Sequence, residues 1–263
     1  MEIAKIVKKT LVKRPRSEGA VVTLSNALAR AGTTLTLNEK RIVMLAISKL
    51  SAKGRWDGVS QLVVKVTAQE FAETFGIDIN TAYTTLLDAV KHIYERSIHF
   101  VIPKDDPKKA PSKAVTRWVS SYVYDKNTGF AIVRFTLEVT PHLTQLSKQY
   151  TRYALQQASA LRSIYSWKLL ELLMKFEATG VADYSIEDFC TSMQTTDGQR
   201  ANFGQLNLRV IKPAIKELTE KDGWLINLTV EKRGRKVSRL RFVFARTKQR
   251  TIFESGEGAS PSP

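Results

Sequence analysis

The chain has 263 residues, 43% hydrophobic and 25% charged, enough for one large domain or two of ordinary size with real cores. Its 41 Lys and Arg against 25 Asp and Glu give a net charge of +16, which directs attention to phosphate-rich partners or an anionic surface. No apolar run approaches the ~18 to 20 residues of a membrane span, and a single cysteine, Cys190, excludes an internal disulfide and a cysteine-cluster metal site, so a reducing cytoplasm is the natural compartment.

Residues 1–20 read as a flexible basic arm without the continuous apolar core of a secretory signal. VVTLSNALARAG follows, then TLTLNEKRIVMLAISKLSAKG, a helix with Ile42, Leu45 and Ala46 at helical spacing that is expected to end at Gly54. SQLVVKV reads as a strand. In TAQEFAETFGIDINTAYTTLLDAVKHIYERSIHFVIP, Thr67 and Glu70 have capping-box spacing, and Gly76 closes a short helix that buries Phe71 and Phe75. Asn80 is the expected cap of a longer helix, in which Tyr83, Leu86, Leu87, Val90 and Ile93 follow the 3.6 period. Short helix, turn and longer helix form a helix-turn-helix pattern. SIHFVIP is a strand, PKDDPKKAPSK a mobile loop, and AVTRWVSSYVY with FAIVRFTLEV a hairpin joined through DKNTG.

The same order returns downstream. ALRSIYSWKLLELLMKF is a core helix, SIEDFCTSM a helix opening at Ser185 with Asp188 three residues on, and TTDGQRAN a loop. FGQLNLRVIKPAIKELTEKDG is a long helix, and WLINLTVEKRGRKVSRLRFVFA a strand–turn–strand. The expected fold class is therefore α+β, with two tandem winged-helix domains at 21–150 and 151–250 and a small, polar, disordered tail at 251–263.

The charge is concentrated in the second unit. Residues 151–199 hold 4 basic and 6 acidic side chains (net −2), whereas 200–250 hold 14 and 4 (net +10). At 100° per residue, Phe203, Leu206, Val210, Ala214 and Leu218 fall in one broad arc, and Gln205, Arg209, Lys212 and Lys216 lie nearly opposite. Alone, that polar face reads as a solvated basic surface. In the recognition position of a helix-turn-helix, preceded by Arg200 and Asn202 and followed by a basic hairpin, it reads as a face for DNA. Gln205 and Arg209 are candidates for base contact and Lys212 and Lys216 for phosphate contact, while Pro213 is expected to weaken or bend the helix. In the first unit Asn80, Thr81, Thr84 and Thr85 offer uncharged polar groups, which implies weaker binding or a main role in dimer formation. The hairpin EKRGRKVSRLRFVF turns at Gly234 among Lys232, Arg233, Arg235 and Lys236. Leu240, Phe242 and Phe244 alternate with Arg239, Arg241 and Val243, so one face can anchor to the core while the tip reaches a DNA backbone or minor groove.

A catalytic reading finds little support. A rolling-circle nickase needs paired histidines for a metal and a tyrosine nucleophile. His92, His99 and His142 have no metal-ligand spacing, and His92 and His99 read as packed residues at a helix end and in the next strand. No GxxxxGK[ST] is present, and Asp183, Glu187 and Asp188 sit where a helix begins and acids favour its dipole. No metal, cofactor or enzymatic activity is expected.

LNEKRIVMLAIS, AQEFAETFGIDINTAYTTLLDAVKHIYERSIHF, RWVSSYVYDKNTGFAIVRF and RSIYSWKLLELL, with FGQLNLRVIKPAIKEL ahead of EKRGRKVSRLRFVF, resemble the Rep family of initiators from iteron-containing plasmids. The resemblance runs from about Val21 to Phe244. It implies a double-stranded DNA partner, with monomers starting theta replication at origin iterons and dimers repressing their own gene at an operator inverted repeat. It also implies a homodimer in equilibrium with monomer through the first domain, and a host replication initiator and replicative helicase with its loader as partners. Carried over by position, Gln205, Asn207 and Arg209 fall in the reading part of the second recognition helix, and Arg233, Arg235 and Lys236 at the wing tip.

Overall fold

The computed structural model describes residues 20–50, 59–102, 112–144, 146 and 150–246. The expected basic arm up to residue 19, most of the 103–113 loop and the tail at 251–263 lie outside the described residues. In chain order the elements are β1 (Val21–Ser25), α1 (Asn26–Arg30), β2 (Gly32–Thr33), α2 (Leu37–Ser48), β3 (Val63–Thr67), α3 (Ala68–Phe75), α4 (Ile79–Glu95), β4 (Ser97–Ile102), β5 (Ser112–Arg117), β6 (Val119–Asp125) and β7 (Phe130–Phe135). After a single 3-10 turn (Thr140–His142) come β8 (Tyr150–Ala154), α5 (Leu155–Ser159), α6 (Ile164–Met174), β9 (Val181–Ser185), α7 (Ile186–Met193) and α8 (Asp197–Ala201). A last helix is continuous from α9 (Phe203–Leu206) through a π-helical turn (Asn207–Ile211) into α10 (Lys212–Asp222), and leads to β10 (Trp224–Arg233) and β11 (Lys236–Arg246).

Two units share one plan of helix, strand, two helices and a hairpin. In the first, α2, β3, α3, α4, β6 and β7 form a sheet in the order β3–β7–β6; in the second, α6, β9, α7, α9–α10, β10 and β11 form β10–β11–β9. Each is a winged helix whose first strand pairs antiparallel with its third. Local sequence sets many of the boundaries. Thr36 with Glu39 and Thr67 with Glu70 form reciprocal capping boxes at α2 and α3, and Gly76 ends α3 in the left-handed conformation. Ser185 Oγ accepts from the Asp188 N–H at the start of α7.

Several expectations are corrected. α2 ends at Ser48 rather than Gly54, because Lys49 and Leu50 already turn back on the carbonyls of Ala46 and Ile47. Asp78, not Asn80, caps α4: its Oδ1 accepts from the N–H groups of both Asn80 and Thr81, as a carboxylate at that end should. AVTRWVSSYVY breaks at buried Trp118 into β5, which pairs with β4, and β6, which pairs with β7. TTDGQRAN contains the short helix α8, held by a Thr196–Gln199 capping box. His92 and His99 are exposed instead of packed.

The units share one hydrophobic core. β1 pairs with β8, tying the start of the first unit to the chain that enters the second. α6 is buried on every side from Ser166 to Met174, so its polar residues need internal partners. Glu171 finds them in Lys40 Nζ at 2.7 Å, from α2, and Tyr153 Oη at 2.8 Å, which in turn accepts from Trp167 Nε1 at 2.9 Å. Phe75 packs on Trp167, with ring centroids 6.3 Å apart. Among the described residues no helix is long and apolar enough to cross a membrane.

Candidate nucleic-acid interface

The reading helix is set by its buried seam. Leu206, Val210, Ala214 and Leu218 are all at most 1% exposed, with Ile211 beside them. Residues four apart drift by about 40° per step on a regular α-helix. The π-helical turn holds more residues per turn and takes up part of that drift, so the seam stays on one side. It also answers Pro213. In a regular helix that ring would meet the carbonyl of Arg209 and leave it without a donor. Here Lys212 N–H reaches Asn207 O, five residues back, so the chain has left the regular i→i−4 pattern just ahead of Pro213.

Opposite the seam, Gln205, Arg209, Lys212 and Lys216 are exposed, while Asn207, on the seam side of the helix, is half-buried. Asn202 is the N-cap of α9, its Oδ1 accepting from Gln205 N–H at 3.2 Å. Arg200 is exposed and also serves the fold. Its guanidinium donates to Thr195 O at 3.2 Å and Cys190 O at 3.3 Å, closing the last turn of α7 against the chain that enters the reading helix. Lys216 lies 3.8 Å from Glu220 in an exposed i,i+4 pair, which lowers its free charge. Leu208 is exposed between Asn207 and Arg209 in the chain, an apolar side chain without hydrogen-bonding groups of its own.

The wing β10–β11 turns on two residues, Gly234 and Arg235, between the paired Arg233 and Lys236. Gly234 has φ +64 while Arg235 has no positive φ, the pattern of a II′ hairpin turn, in which glycine is favoured at the first position. The register slips between Glu231 and Lys232, a bulge that adds twist and re-aims the tip. Leu240, Phe242 and Phe244 point into the core as the alternation required, with Phe242 on Phe189 at 5.7 Å. Lys232, Arg233, Arg235 and Lys236 are exposed.

Cations in this unit fall into two sets. At the root of the sheet Arg239 holds Asp183 at 2.9 Å, and Arg246 holds Asp222 while lying over the Trp224 ring. On the helix face and wing tip, Arg209, Lys212, Arg233, Arg235 and Lys236 have no carboxylate partner among the described residues. The neutralised set holds the fold, and the open set faces outward.

The first unit is built alike but charged differently. Asn80, Thr81 and Thr84 lie exposed at the start of α4, and Thr84 Oγ1 donates back to Thr81 O at 3.0 Å; Thr85 is half-buried. The tip of β6–β7 closes on that helix: a Cβ at Gly129 would stand 1.9 Å from the Tyr83 ring, so only glycine fits, and Asp125 accepts from Asn127 N–H at 2.9 Å. That bond and one from the Thr128 side chain, the larger cause, hold the Asp125 carboxyl below its ordinary range. No group of three or more His, Cys, Asp or Glu suited to a metal occurs among the described residues. His142 is half-buried, its Nδ1 paired with Ser25 Oγ at 2.8 Å and its ring stacked on Phe100, and burial lowers its pKa.

Two family profiles match, "Initiator Replication protein, WH1" over residues 21–174 and "Initiator Rep protein, WH2" over residues 185–244. The chain belongs to the initiator replication protein family. A curated relative, an uncharacterised 27.6 kDa protein of Escherichia coli, is 22% identical over 219 residues, covering 80% of this chain and 90% of that one. A probable replication protein, rep, of Bifidobacterium longum (strain NCC 2705) is 28% identical over 119 residues, 42% of this chain and 39% of its own. In fold, this initiator resembles the Pi initiator protein, solved in complex with iteron DNA, with a TM-score of 0.69 and 20% identity over 88% of this chain and 99% of that one.

Proposed function

We propose that this initiator starts plasmid replication by binding iteron duplexes at its origin, chiefly through residues 151–250. The open cations on the face of α9–α10 and on the wing tip carry this reading, because they have no carboxylate partner among the described residues to neutralise them. Gln205, Asn207 and Arg209 meet base edges in the major groove, where Gln suits adenine and Arg guanine. Lys212, Lys216, Arg233, Arg235 and Lys236 hold phosphates, and Arg200 and Asn202 position the helix. The unit at 21–150 adds contacts through Asn80, Thr81 and Thr84 and carries the homodimer contact. Monomers act at the iterons, and dimers repress the protein's own gene at an operator inverted repeat. The host initiator and the replicative helicase with its loader complete the assembly in the cytoplasm, and the protein itself performs no catalysis.

Footprinting on the noncoding DNA beside the gene tests this reading. Protection of direct repeats is expected, together with maintenance of a plasmid that lacks its own replication gene. Protection of an operator without plasmid maintenance would reduce the protein to a transcription regulator.

A further inference from the structure

Leu208 is 62% exposed at the edge of the reading face. Nothing in the free protein accounts for a leucine there. Glutamine, lysine and arginine stabilise an exposed helical position about as well, and the seam beneath is already filled by Leu206, Val210 and Ile211. Its surroundings are specific. Helical side chains lean over the turn that precedes them, and four residues before Leu208 stands Gly204. A Cβ at Gly204 would meet only Asn202 Oδ1, at 3.1 Å, so the helix is bare on the side toward which Leu208 leans. Exposed Gln205, three residues before it, is its neighbour on the helix surface, and exposed Arg209 lies about 100° further round. The result is an exposed apolar knob at the edge of the polar face, on the Gln205 side.

The major groove presents one apolar group, the 5-methyl of thymine, among donors and acceptors. We propose that Leu208 is a specificity-determining residue that reads the 5-methyl group of a thymine beside the bases met by Gln205 and Arg209. The assignment rests on the DNA-reading role of α9–α10 proposed above, and it adds discrimination between thymine and cytosine that hydrogen bonds to neighbouring bases do not supply. It also gives Leu208 its missing burial, since the isobutyl group leaves water only in the complex.

Deoxyuridine isolates the contact, because it deletes the methyl and keeps every hydrogen-bonding edge of thymine. The full chain first selects duplexes from a random pool, and the selected duplex is resynthesised with each thymine replaced in turn. The wild-type protein is expected to lose about fourfold in affinity at one thymine, the value of one buried methyl-sized group. Leu208→Ala should lose at least as much on the unmodified duplex and nothing further at that deoxyuridine. Leu208→Gln, which keeps helix propensity, should be equally indifferent to it, and both variants should unfold at the wild-type midpoint. A deoxyuridine penalty that persists undiminished in both variants overturns the proposal, as does a wild type that tolerates every replacement. A protein that selects no duplex at all overturns the DNA-reading role itself and this assignment with it.

Discussion

Replacing Arg233, Arg235 and Lys236 together with glutamine tests whether the wing holds a polyanion. Each phosphate contact adds roughly 0.9 to the steepness with which affinity falls on a log–log plot against salt. Three lost contacts should flatten that slope by about 2.7, so that between roughly 50 and 200 mM salt the variant loses ~40-fold less affinity than the wild type. Fluorescence anisotropy on a labelled origin duplex at five salt concentrations gives the slope directly. Stability should not move, because the three side chains are exposed, without carboxylate partners among the described residues, and at a turn fixed by Gly234. Arg239→Gln is the internal control. That arginine lies on the same hairpin but is already neutralised by Asp183 at 2.9 Å, so its loss should leave the salt slope as it was. A triple variant with the wild-type slope, or an Arg239 variant that flattens it as much, would refute the division into open and neutralised cations.

Arg209→Ala is expected to cost about 1–3 kcal/mol of specific binding and to relax preference at one base pair, read by competition among single-substituted duplexes; an equal loss on every sequence counts against base contact. Glu171→Ala leaves Lys40 buried without its carboxylate and should lower stability by about 3–5 kcal/mol in urea unfolding, while Lys40→Met combined with Glu171→Leu should recover most of it. Lys168 is buried, and desolvation lowers its pKa from 10.5 to about 7. The unfolded chain then binds more protons than the native one between those values, so stability should rise with pH above about 7 by up to ~1.4 kcal/mol per unit. Lys168→Met should remove that rise, as unfolding free energies at pH 7, 8 and 9 would show.

What the sequence made legible was local. The Thr67–Glu70 capping box and the Gly76 stop lie within one turn of the residues they govern. The inward Leu240, Phe242 and Phe244 and the seam from Leu206 to Leu218 follow from periodicity alone. What stayed hidden depends on partners far along the chain. Nothing near VVTLS indicates that it pairs with YTRYA, more than a hundred residues later. Nothing near Trp118 shows that its burial splits one apparent strand between two sheets. Arg200 carries the charge of a DNA contact, and only the structure reveals that its guanidinium also bonds to the carbonyls of Cys190 and Thr195. Leu208 is the opposite case: the helical period already puts it outside the seam, but as an apolar side chain it offers none of the donors or acceptors by which a reading residue is recognised.

The two helix-turn-helix turns differ in the residue that takes the left-handed conformation, and the difference reaches the reading helix. Gly76 takes the left-handed conformation in the first unit at no steric cost. Gln194 takes it in the second, with φ 54, as the single non-glycine residue of positive φ among those described. A glutamine there needs outside support. Lys168 supplies it: Nζ bonds to Gln194 Oε1 and also reaches Met193 O at 3.5 Å and, across the boundary, Thr33 O of β2 at 3.4 Å. Arg200 takes the carbonyls of Cys190 and Thr195 on either side of the same turn. The turn that aims α9–α10 is thus built from both winged helices. A displacement of the first unit must either break the Thr33 contact or carry Lys168, and the turn it supports, along with it.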